Sequence, residues 1–89
     1  MNENTAQAIV NMMKNYKALS NVPLIIARNS NRYVDWVLDN MKPELASACE
    51  KLYVEQTYSV EHVARDMNLS ERGLRKRIHK DILRVISIR

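Results

Sequence analysis

One glycine and two prolines stand among the 89 residues of this chain. So few turn-formers leave little room for the tight reversals that a sandwich or barrel needs at every strand end. The frequent residues are Ala, Leu, Met, Lys, Arg and Glu, which favour helix. With 46% of the chain hydrophobic, there is enough apolar side chain for a packed core and too much for a disordered tail. The length suits one small domain. The expected fold is all-α, a small bundle of four to five helices.

The apolar spacing sets out those helices. Residues 5–19 form the first, with Asn4 as cap and Gln7 three residues on; Ala6, Ile9, Val10, Met13 and Tyr16 share one face. Ser20-Asn21-Val22-Pro23 ends it, and Pro23 opens a short helix from Leu24 to Arg28. The polar run 28–32 reads as a loop. A helix from Arg32 then carries Tyr33, Val34, Val37, Leu38 and Met41, with Asp35 in its first turn. Pro43 starts the next, which runs from Glu44 to about Glu55 with Leu45, Ala48, Cys49, Leu52 and Tyr53 in a stripe. Residues 1–31 are read as an N-terminal extension and 32–89 as the principal domain.

Several function classes find little support. Cys49 is the single cysteine, without a Cys or His at metal-ligand spacing, and reads as a buried thiol. His62 and His79 fall on different helices with no nucleophile beside them, and there is no glycine-rich phosphate loop. The expectation is a non-enzyme without cofactor or metal. No apolar run approaches a membrane span, and Met1-Asn2-Glu3-Asn4 is polar and acidic where a signal peptide is basic and then apolar. A cytoplasmic protein is expected.

Charge placement is more informative than the net charge of +4. Residues 1–59 hold six cations and six anions, whereas residues 60–89 hold eight cations and four anions. The whole excess lies in the last third, which points to a polyanionic partner there. In that segment Ser59 can cap a short helix, Val60 to Met67, with Val60, Val63, Ala64 and Met67 inward. Met67-Asn68-Leu69-Ser70 supplies a hydrophobe, a residue tolerant of left-handed backbone, a second hydrophobe and a cap. A long basic helix follows, from Glu71 to about Ile86, burying Leu74, Ile78, Ile82, Val85 and Ile86. Two helices joined by so short a turn make a helix-turn-helix. Arg72, Arg75, Lys76 and His79 are spaced to share the other side, with Arg77 and Lys80 on its flanks. Arg bonds guanine edges bidentately, and Lys and Arg hold phosphates, so the row suits a major groove.

Residues 53–78, and Lys42-Pro43-Glu44 ahead of them, resemble the fourth region of bacterial sigma factors. The likeness covers about residues 32–86 and extends to small phage activators of late transcription, the ArpU- and RinA-like group, whose short length this chain shares. Asn68 stands where many such turns have glycine, and Gly73 where a larger residue is usual. The resemblance implies a transcriptional regulator, an activator of phage or mobile-element genes, acting on double-stranded DNA and meeting RNA polymerase. The DNA-binding residues expected are Ser70, Glu71, Arg72, Arg75, Lys76, Arg77, His79 and Lys80. Of these, Arg72 and Arg75 would read bases, and Lys76, Arg77 and Lys80 would hold phosphates. The alternative is a helix-turn-helix module that binds RNA polymerase or inhibits a host protein, with Trp36 and Met12-Met13 as its surface. The apolar face of residues 6–16 is expected to make a homodimer contact.

Overall fold

The computed structural model describes residues 3–22 and 25–88, and every regular element among them is helical. Six α-helices follow one another: α1 (Glu3–Lys14), α2 (Tyr16–Ser20), α3 (Ile25–Asn40), α4 (Pro43–Cys49), α5 (Val60–Asp66) and α6 (Glu71–Ile86). A π-helical turn, Glu50–Val54, continues α4. The all-α expectation holds, with six α-helices where a bundle of four to five was expected.

The core is one cluster drawn from α1, α3, α4, the π-helical turn, α5 and α6. Met13, Leu74, Ile78 and Ile82 are its largest fully enclosed side chains. Leu45, Leu52, Val63 and Ala64 are buried in it as expected, and Leu69 packs against its edge. α6 is the central rod, touched by α1, α3, α4 and α5.

Local details differ from expectation at the N-terminus and along α3. Asn4 caps nothing, because α1 already includes Glu3; the break comes at Asn15, whose side-chain amide donates to the Asn11 carbonyl. The run 28–32 is helix rather than loop. Arg28, Asn29 and Arg32 are exposed, while Ala27, Asn31 and Val34 keep the inward face continuous. Asn31 is buried and donates to the Tyr16 carbonyl at 3.1 Å, which ties α3 to α2. The division expected at residues 31 and 32 therefore falls inside α3, and Asp35 sits in mid-helix, where its carboxylate accepts the Tyr16 hydroxyl at 2.9 Å. Pro23 and Leu24, the first positions of the expected short helix, lie outside the described residues.

Pro43 is at the first position of α4, as its lack of an N–H allows. The widened turn behind α4 was not expected. Glu55 N–H donates to the Glu50 carbonyl at 2.7 Å, five residues back. Leu52, Tyr53 and Val54 are consecutive and all buried. A regular helix turns about 100° per residue and would swing one of three neighbours toward solvent. The extra residue in the turn lets all three stay in the core.

The apolar face of α1 has an occupant within this chain. Ala6 and Met13 are fully enclosed, and α1 packs on α6, on α3 and on the π-helical turn. The surface expected for a homodimer contact is thus part of the core. Met12 and Trp36 are half-buried against the same core, and Trp36 stacks on Tyr33 at 5.9 Å.

Candidate nucleic-acid interface

The pair α5–α6 is built by local chemistry at three points. Ser59 opens α5, its hydroxyl accepting the His62 N–H at 3.1 Å. Asn68 closes it in the left-handed region, φ 58°. There the Asn68 N–H donates to Arg65 O and the Leu69 N–H to Ala64 O at 2.8 Å, the paired bonds of a Schellman ending. Ser70 then opens α6, its hydroxyl accepting the Gly73 N–H at 3.0 Å. Each of these helix ends is thus capped within two or three residues, and the chain reverses without a long loop.

Gly73 has a local reason too. A Cβ built there would lie 3.0 Å from the Ser70 hydroxyl oxygen, with no atom of another helix among its near contacts. The glycine makes room for its own helix's cap.

The outward side of α6 follows from its inward one. Leu74, Ile78, Asp81, Ile82, Val85 and Ile86 are buried. At about 100° per residue, the positions opposite them are Lys76 and Lys80, flanked by Arg72 and by Arg77 and Arg84. All five of these cations are exposed. Arg75 is exposed but stands nearer the core edge, across a long 3.9 Å pair from Glu71. It is close enough to Tyr53 to draw that phenol's pKa down, against the larger upward push of burial. His79 is half-buried on the same flank. The four residues expected to form one row span about 100° of α6: Lys76 lies on the outermost line, Arg75 lies nearest the core edge beside Tyr53, and Arg72 and His79 lie between them. Ser70 and Glu71 are exposed at the helix start.

The side chains of Arg72, Lys76, Arg77 and Lys80 form no ion pair among the described residues. Lys17, Arg65 and Arg84 are paired, with Glu55 at 2.6 Å, Glu61 at 2.9 Å and Asp81 at 2.7 Å. The outward line of α6 is therefore an uncompensated positive field, the electrostatic requirement for an anionic partner.

Two contributors were missed in the sequence. Arg84 continues the four-residue spacing of Arg72, Lys76 and Lys80, and that spacing was the available signal. Lys42 is brought to α6 only by the fold. Asp81, almost wholly buried, accepts the Lys42 main-chain N–H at 2.9 Å and the Arg84 Nε–H at 2.7 Å. Burial pushes the Asp81 carboxyl up, but the hydrogen bonds from Arg84 and Lys42 outweigh it and hold its pKa below the ordinary value.

Elsewhere the chemistry is sparse. Cys49 is enclosed, and burial, helped by the Asp81 and Glu50 charges, pushes its thiol up to about 12. It stays a protonated hydrophobe rather than a nucleophile. His62 stacks on Tyr58 at 5.0 Å and meets Asp66 at 3.3 Å. Among the described residues no three His, Cys, Asp or Glu groups gather as a metal site, and no helix is long and apolar enough to cross a membrane. No family model, curated protein or solved structure matches the chain.

Proposed function

We propose that the chain is a sequence-specific regulator of transcription that lays α6 in the major groove of duplex DNA. The observation that carries this is the unpaired cationic line Arg72–Lys76–Lys80, with Arg77 beside it, on a helix presented by a capped, left-handed turn. A solvated helix face of ordinary kind balances its cations with anions at helical spacing, as Arg65 and Glu61 do on α5. Here Glu71 is the one acid near the start, and it leans toward Arg75.

In this reading Arg72, in the first turn, addresses base edges directly. Arg75 joins it from the flank by leaving its weak contact with Glu71. Lys76, Arg77 and Lys80 hold phosphates. Activation of phage or mobile-element genes, with RNA polymerase as a second partner, rests on the sigma-like resemblance of residues 32–86.

The test is selection from a genomic fragment library followed by affinity measurement over a salt series. Enrichment of a site, with binding that weakens steeply as salt rises, supports the reading. No enriched site together with salt-insensitive affinity overturns it.

A further inference from the structure

A cleft of about 490 Å³ opens between the start of α4 and the far side of α6. Lys42 and Glu44 stand on one wall, and Arg77, Lys80, Asp81 and Arg84 on the other. Four of these six groups are cations. Asp81 is closed off, its two oxygens taken by Lys42 N–H and Arg84. Arg84 is itself committed, donating also to the Asn40 carbonyl at 3.0 Å. Lys42, Arg77 and Lys80 are left exposed, with no ion pair from their side chains among the described residues. Glu44, also exposed, is the carboxylate that still faces a ligand.

We infer that this cleft clamps one phosphodiester of the DNA backbone, with Lys42 closing on it from the α4 side and Arg77 and Lys80 from α6. The inference rests on the reading of α6 as the groove-binding helix. Arg77 and Lys80 belong both to the cleft and to the outward side of α6, so the cleft mouth borders the helix that enters the groove. A helix seated in a major groove has a phosphate strand along each side. The strand on the Arg77 side must pass this mouth. A phosphate held by two separate elements fixes the tilt and register of the helix, which one row of side chains does not. The Asp81 bond to the Lys42 main chain holds the two walls together.

The experiment measures binding of the full chain to a short fluorescent duplex over a salt series. The variants are Lys42→Gln, Arg77→Gln, the pair together, Glu44→Gln, Arg72→Gln as a probe of α6 outside the cleft, and Arg28→Gln on α3 as an equal-charge control outside the cleft. Lys42→Gln keeps the main-chain N–H that Asp81 holds, and circular dichroism checks each fold. Each lost phosphate contact should lower the salt slope by about 0.9. The expected result is a drop of about two units in the double variant and none in Arg28→Gln, with Glu44→Gln binding more tightly than the parent. If the salt slope of Lys42→Gln equals the parent's while Arg72→Gln weakens binding, α6 binds DNA and the clamp is wrong. If the parent shows no salt-dependent duplex binding, both readings fail. Inorganic pyrophosphate saturating the Lys42 and Arg77 amide shifts without any duplex binding would mark a free-anion site and overturn the clamp as well.

Discussion

Asp81 of α6 accepts the main-chain N–H of Lys42, 39 residues earlier in the chain, at 2.9 Å. The same carboxylate takes Arg84 Nε–H, and Arg84 reaches on to the Asn40 carbonyl. The corner between α3 and α4 is thereby latched to the basic helix by one buried charge.

Asp81→Asn should therefore destabilise the fold by about 2 kcal/mol, the scale of a charge-assisted hydrogen bond. The pH dependence has a definite sign. The folded carboxyl releases its proton more readily than the unfolded one. Its contribution is complete above the ordinary aspartate pKa, roughly pH 4, and is lost as pH falls through the lower folded value. Urea melts at neutral and acidic pH should show this loss in the parent and its absence in Asp81→Asn.

Gly73 and Ser70 should be energetically coupled. Ser70→Ala removes a helix cap and costs about 1 kcal/mol. Gly73→Ala alone trades a gain in helix propensity of about 1 kcal/mol against crowding of the Ser70 hydroxyl at 3.0 Å. In the Ser70→Ala background the crowding is gone, so Gly73→Ala should stabilise by more there than in the parent. A double-mutant cycle in urea reads the difference, and equal effects in the two backgrounds would remove this account of the glycine.

Deleting residues 1–20 should unfold the chain rather than convert a dimer to a monomer. Ala6, Ile9, Val10 and Met13 are buried against α3, α6 and the π-helical turn. Met13 alone would cost about 2–5 kcal/mol if cut to alanine, a large part of a small domain's stability. Circular dichroism of the truncated chain should show lost helix, and a fully helical truncation product would contradict this packing.

What the sequence made legible was local. Ser59, Asn68 and Ser70 mark the two helix ends by their own hydrogen-bonding and backbone preferences, so α5, the turn and α6 could be placed within a residue. The run 28–32 misled because polarity was read without phase: Asn31 alone turns inward, and Ala27 and Val34 carry the stripe past it. The π-helical turn was hidden for a similar reason, since Leu52, Tyr53 and Val54 suit a helix whose period they violate. On α6, grouping Arg72, Arg75, Lys76 and His79 by neighbouring turns overlooked that Arg75 lies beside the buried line of Ile82 and Ile86. The Lys42–Asp81 bond depends on how α3 and α4 turn back on α6, which no local spacing encodes.

The basic helix separates two kinds of contact that respond differently to mutation. Arg72 lies in the first turn after Ser70, where a recognition helix meets base edges, and Lys80 lies two turns on, at the cleft mouth. Losing a bidentate base contact should cost about 1–3 kcal/mol on the preferred site and relax the choice of base there. Losing a phosphate contact should weaken all duplexes alike and lower the salt slope by about one unit. Arg72→Ala should therefore bring the affinities for selected and scrambled DNA together, whereas Lys80→Ala should lower both in parallel. Arg75→Ala tests the flank position: its arginine is held loosely by Glu71 at 3.9 Å and is free to swing toward the groove. If Arg75 reads a base, its loss should resemble that of Arg72. If all three variants lower affinity equally for the two DNAs, the base-reading assignment on α6 is wrong and only the electrostatic contact survives.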